Sequence, residues 1–214
     1  MYISWAAYYE GRTDASYFNI LIPRVLEVVL REEGVRAYDV GISPSIEFGV
    51  NNRDFASNAE EICARRSEFH LLFVHADSGG RSLRSSLEER REALVEAAVE
   101  KCEFDRGSAV LLSPQREMEA WAIADGAAVE AAFGVSHLPP KLLPRSPKEA
   151  ERHHDPKAVL QEVSRYVGRR RNDVSGILVR IAQEQDIRRL REARSFAEFE
   201  DSLRLALKHG GFAS

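Results

Sequence analysis

HLLFVHADSGG, residues 70–80, is a short apolar run that stops on a carboxylate, Asp77, followed by two glycines. The run FHLLFVHA predicts a strand, because several consecutive apolar residues bounded by turn-forming residues suit a strand enclosed by other elements. Asp77 then has two readings. An acid at the carboxyl end of a buried strand is a common element of an active site. Asp followed by Ser-Gly-Gly is equally a turn in its own right, because Asp and Gly both favour turns.

Outward from this strand the chain alternates. Residues 2–9, YISWAAYY, form a second apolar run without polar alternation and predict a buried strand. Thr13 and Asp14 are candidate caps for a helix over roughly residues 14–32, whose Leu21, Val25, Val28 and Val29 have helical spacing. Gly34 closes that helix. VRAYDVGI predicts another strand, residues 54–66 a helix, and SAVLLS (108–113) a further strand. Ser86 with Glu89 fits a capping box for the helix between the last two strands, and Leu87, Leu94, Val95 and Val99 supply its apolar stripe. Ser113 followed by Pro114 is a helix start signal.

Strands alternating with helices predict an α/β fold, a parallel sheet flanked by helices. The pattern changes near residue 134. GVSHLPPKLLPRSPKEAERHH reads as a long loop, and Asp155-Pro156 then starts a helix. Ser195 with Glu198 fits another capping box. The expected organisation is an α/β core over residues 1–135 and a C-terminal helical region, 150–214, packed on it as an appendage.

Composition limits the function. The chain has 214 residues, 44% hydrophobic and 30% charged, with a formal net charge of −4. It is no polycation, so any nucleic-acid surface is a local patch. No apolar run reaches the ~18 residues of a membrane span, and the amino terminus lacks the basic region of a signal peptide. Cys63 and Cys102, each in an apolar helical segment, read as reduced core residues of a cytosolic protein and not as a disulfide or zinc site.

In a parallel sheet the carboxyl ends of the strands share one edge, where ligands bind. Glu10 follows the first strand, Asp77 the central one, and Glu117 and Glu119 the SAVLLS strand. Carboxylates gathered in one small volume repel one another unless a cation neutralises them, and oxygen donors suit Mg²⁺ or Mn²⁺. If both Glu117 and Glu119 are helical they point some 200° apart, so only one faces a shared metal, and Glu119 is preferred. His75 is a further candidate ligand, although a histidine ending an apolar strand is more often a hydrogen-bonded structural residue. RYVGRRR (165–171), with Arg169, Arg170 and Arg171, is the densest basic stretch and a candidate phosphate contact, or else a solvated helix end. His153 and His154 lack a partner set for zinc. No Gly-Lys-Ser/Thr phosphate loop and no Gly-x-Ser-x-Gly elbow occurs.

YYEGRTD, LLFVHADSGG and EMEAWAIAD resemble, in order, the motifs of Toprim domains. These are a glutamate after the first strand, an Asp-x-Asp after a later one, and a further acid. More narrowly, the chain resembles domain-of-unknown-function family 4276, Toprim-like proteins related to the nuclease half of OLD-type systems. The Glu-x-Trp-x-x-x-Asp segment (Glu119, Trp121, Asp125) and the Asp155-Pro156-Lys157 helix start carry that likeness. The resemblance implies a metal-dependent nuclease-like protein, with Glu10, Asp77 and Glu119 as catalytic metal ligands, a role in phage defence and an ATPase partner. The chain departs from the pattern at His75, which stands where the first acid of Asp-x-Asp is expected, and at Asp14, where the family has glutamate. An imidazole brings no negative charge and suits Mn²⁺ better than Mg²⁺. The alternative is a non-catalytic interaction protein of the same fold.

Overall fold

A computed structural model of the chain describes residues 1–9, 11–49, 54–75, 84–168 and 174–214, with the backbone alone over 84–91. Its first extended run is broken at Ser4 into β1 (Tyr2–Ile3) and β2 (Trp5–Tyr8). Alongside lie β3 (Asp39–Val40) and β4 (Ile46–Phe48). Tyr2 pairs with Asp39, but Ala6 pairs with Ile46, so the register shifts between the two segments and residues 41–45 take up the slack. The Trp5 indole nitrogen donates to the Gly41 carbonyl at 2.7 Å and pins that detour.

The main sheet has the order β4-β2-β5-β6, where β5 is Leu71–His75 and β6 is Ala109–Leu112. All its neighbours are parallel. Side chains alternate between two layers. Trp5, Ala7, Leu71, Phe73, Val110 and Leu112 join the core built with α1 (Arg12–Glu33) and the C-terminal helices. Ala6, Tyr8, Ile46, Phe48, Leu72 and Val74 join a second core with α2 (Phe55–Arg65) and α3 (Arg84–Cys102). Because both faces are covered, these strands read as unbroken apolar runs.

From β2 the chain passes through α1 to β4 on one side. From β5 it passes through α3, on the opposite face, to β6 on the other side. The neighbours β2 and β5 therefore form the point at which the winding reverses, the place where open α/β sheets bind ligands.

After β6 come α4 (Glu119–Ala122), α5 (Gly126–Phe133), α6 (Pro147–Arg152), α7 (Pro156–Tyr166), α8 (Val174–Glu184), α9 (Ile187–Leu190) and α10 (Arg194–His209). Their apolar residues belong to the same core as α1 and the sheet. Trp121 lies 5.0 Å from Phe196 and 5.4 Å from Phe199, and Phe199 reaches Phe73 of β5 at 6.4 Å, ring centre to ring centre. Gln185, fully buried, has its polar groups met: its Nε2 donates to the Trp121 carbonyl at 2.7 Å and its Oε1 accepts from the Tyr17 hydroxyl. No helix among the described residues is long and apolar enough to cross a membrane.

Several expectations are corrected. Cys63 and Cys102 are joined by a disulfide, with their Cα atoms 5.8 Å apart. The reason is tertiary: α2 and α3 lie side by side on one face of the sheet, and each brings its cysteine near its carboxyl end. No helix starts at Pro114. Residues 113–118 form an irregular loop in which Arg116 has φ 69°, and α4 begins only at Glu119. Ser86 lies inside α3, which starts at Arg84, so it is not a cap. The cap of α1 is Gly11, without a side-chain hydrogen bond. Ser195 also lies inside its helix. The first turn of α10 is capped by the Glu151 carboxylate, which accepts from the backbone N–H groups of Arg194 and Ser195, both at 2.7 Å. VRAYDVGI contributes only Asp39–Val40 to a strand, and the stretch after residue 134 contains α6, started by Ser146 and Pro147. Asp155 caps α7 as its sequence suggests, accepting from Ala158 N–H at 2.9 Å.

Candidate functional site

The carboxyl ends of β2, β5 and β6 stand level. Tyr8 pairs with Val74, and His75 with Leu112. His75 is the last residue of β5, and its place in the alternation turns it toward α1, where its ring lies 4.8 Å from that of Phe18. It is fully buried, deeper than a position at the rim of a cleft. Its Nδ1 is 3.3 Å from the Leu112 carbonyl oxygen. A carbonyl only accepts, so in this hydrogen bond Nδ1 carries the proton. Nε2 then faces Asp14 of α1, whose Oδ1 is 3.9 Å away. An imidazole held through one nitrogen by a backbone carbonyl is the arrangement that orients metal-binding histidines.

Asp14 is also buried, 7% exposed. It lies in the first turn of α1, where a carboxylate is favoured by the positive end of the helix dipole. Gly11 leaves room for it: a Cβ there would stand 3.2 Å from Asp14 Oδ2.

Tyr9, next in the chain after β2, is fully buried and stacks on Phe18 with ring centres 6.0 Å apart. Its hydroxyl donates to Asn19 Oδ1 at 2.9 Å, and Asn19 Nδ2 donates to Glu47 Oε1 at 2.5 Å. Burial pushes the Tyr9 phenol well up, and the charges of Glu47 and Asp14 push it further, so it stays neutral. Phe18 also meets Trp121 edge-on at 6.0 Å. One aromatic residue thus links His75 to the helix that begins at Glu119.

Glu119, 6% exposed, is the first residue of α4. Helical geometry does not separate it from Glu117, which lies in the loop before that helix. Glu117 Oε2 is buried and finds no hydrogen-bond partner among the described residues. A buried carboxylate oxygen in that state is one that a cation would satisfy. The left-handed backbone at Arg116 in the same loop is costly for a residue with a side chain, and such strain gathers at functional sites.

Of the residues singled out in the sequence, His75 and Glu119 are therefore buried at or just beyond the carboxyl ends of β5 and β6. Glu10, Asp77, Arg169, Arg170 and Arg171 lie outside the described residues. Among the described residues no group of three or more His, Cys, Asp or Glu is arranged to hold a metal. The donors that are described fit a hard cation in kind, being carboxylates with one oriented imidazole. His153 and His154 stack on each other beside the α7 cap, remote in sequence from this edge.

The sequence marks Asp14 as a helix cap and as the acid standing where the resembled family has glutamate, and neither reading places it beside His75. Tyr9 and Asn19 left no such mark. Compared with known proteins, the chain matches no family model, no curated protein and no solved structure.

Proposed function

We propose that this chain is a metal-dependent phosphodiesterase of nuclease type, with Glu10, Asp77 and Glu119 holding Mg²⁺ or Mn²⁺ beside His75. The observation that carries the reading is the buried Asp14–His75 pair at the point where the sheet reverses its winding. Glu10 follows β2 and Asp77 follows β5, and these two strands are parallel neighbours that end at one edge.

The ion would polarise a phosphate oxygen and lower the pKa of an attacking water. The chain's own residues do the positioning. The Leu112 carbonyl orients His75. Asp14 adds a carboxylate beside the imidazole, offsetting the charge lost where His75 stands for an acid. Tyr9, Phe18 and Trp121 form an apolar floor that keeps bulk water from these groups. Arg169, Arg170 and Arg171 are the candidate contacts to substrate phosphates. A place in phage defence beside an ATPase partner belongs to the same proposal.

The second reading, a non-catalytic interaction protein, is favoured by one observation: His75 is wholly enclosed. Calorimetric titration with Mn²⁺ and Mg²⁺, with cleavage assays on single- and double-stranded DNA and RNA, separates the two. Metal-dependent cleavage lost in Asp77→Ala supports the enzyme. Absence of binding and of cleavage with either ion supports the interaction protein.

A further inference from the structure

Cys63 and Cys102 are the chain's only cysteines, and the proposed chemistry uses neither. Their bond spans 39 residues. It closes a ring that contains β5, the strand ending in His75, then Asp77, and then α3. Both cysteines are half-buried, while Ile62 and Ala98 beside them are fully buried, so the bond sits at the margin of the core within reach of solvent. Its surroundings carry charge of both signs, with Glu61, Glu100 and Glu103 as near in sequence as the basic residues. Arg66 donates through its guanidinium to the Cys102 carbonyl at 3.3 Å, while Arg65 pairs with Glu68 and Lys101 with Glu60. The apolar contacts of α2 and α3 with the sheet are made by Ala59, Ile62, Leu94, Val95 and Ala98, with both cysteines at the margin of that cluster.

We infer that Cys63 and Cys102 are a reversible redox pair whose bond sets how firmly α3, and with it the end of β5, is held against α2. The pair closes by exchange with a small-molecule disulfide. One protein thiolate attacks that disulfide, forms a mixed disulfide and releases one thiol. The second protein thiolate attacks the protein sulfur of the mixed disulfide and expels the other thiol. Two protein thiols lose two electrons and two protons, and the small disulfide gains both to become two thiols.

The test equilibrates the full chain in a series of reduced and oxidised glutathione buffers. Free thiols are trapped by alkylation and counted by mass, and hydrogen exchange is read on peptides from α2 and α3. One two-electron transition is expected, with native circular dichroism at both ends. Exchange in the last turns of α2 and α3 should rise roughly tenfold on reduction and fall again on reoxidation. The double variant Cys63→Ser, Cys102→Ser should show the reduced pattern in every buffer. A pair that stays bonded until the protein unfolds overturns the inference. So does a pair that stays reduced in oxidised glutathione, or exchange that is the same in both states. If the double variant does not fold, the wild-type chain in the two buffers still decides. None of these readouts uses a metal or a cleavage assay, so the outcome is independent of the proposed activity.

Discussion

The Tyr17 hydroxyl of α1 donates to the Gln185 side-chain oxygen at 2.7 Å, joining the first helix to the segment between α8 and α9. Both residues are fully buried, and burial drives the Tyr17 phenol far above its ordinary pKa. Tyr17→Phe removes the donor and leaves the Gln185 oxygen without it in the core. The expected loss is about 1–3 kcal/mol of stability, read from urea unfolding. A loss near zero would mean that water enters this junction and that the C-terminal helices are held less closely than the structure indicates.

Capping of α10 by Glu151 gives a sharper contrast with the sequence. Glu151→Ala strips the partner from two helical N–H groups at once and should cost about 1–2 kcal/mol, the upper range for a helix cap. Glu198→Ala, at the position of the sequence-based capping box, removes an exposed ion pair with Arg194 and should cost less than about 0.5 kcal/mol. Thermal unfolding of the two variants ranks them. The reverse order would refute capping by Glu151.

Acid stability should depend on Glu32. Hydrogen bonds from Arg191 and then Arg204 lower its pKa from 4.5 to about 2, outweighing a small opposing effect of burial. The folded value lies below the unfolded one. The contribution is therefore complete above about 4.5 and disappears as pH falls toward about 2. Glu32→Gln should flatten the fall in melting temperature over that window. The side chain is 37% exposed, so the difference should also shrink in added salt. Parallel melting curves for wild type and variant throughout the window would argue against the pairing.

At the candidate site the ion preference is the informative measurement. If the chain is a nuclease, Mn²⁺, which accepts imidazole more readily, should support cleavage better than Mg²⁺. His75→Asp should improve use of Mg²⁺, and Asp77→Ala should abolish cleavage. Cleavage that survives Asp77→Ala would remove Asp77 from the catalytic assignment. Asp14→Asn tests the new member of the set, and should weaken Mn²⁺ binding in calorimetry while leaving the melting temperature within a few degrees of wild type.

What the sequence disclosed follows from how local each feature is. FHLLFVHA and SAVLLS were legible because a strand covered on both faces must be apolar throughout. Asp155-Pro156 was legible because its cap closes within three residues. Ile46–Phe48 is too short to carry a period and escaped notice. The capping box at Ser195 failed because the helix already starts at Arg194 and a tertiary carboxylate, Glu151, accepts from the Ser195 N–H from another helix. Asp14 was seen as an acid near a helix start, yet its relation to His75 exists only once β5 lies beside β2. The Cys63–Cys102 bond was hidden for the same reason, since it requires α2 and α3 on one face of the sheet.

The detour at residues 41–45 bears on how the molecule avoids its own copies. A sheet edge is a row of unpaired N–H and C=O groups, and a long straight one recruits strands from other molecules. Here α10 packs against β6, at one end of the sheet. The other end is cut into a two-residue and a three-residue piece, separated by a kink that holds Pro44, which has no N–H to offer, and a protruding Ile42. Neither piece is long enough to template a stranger. Shortening this kink until β3 and β4 become one uninterrupted strand would create a smooth border, and light scattering should then detect chains adding to one another edge by edge.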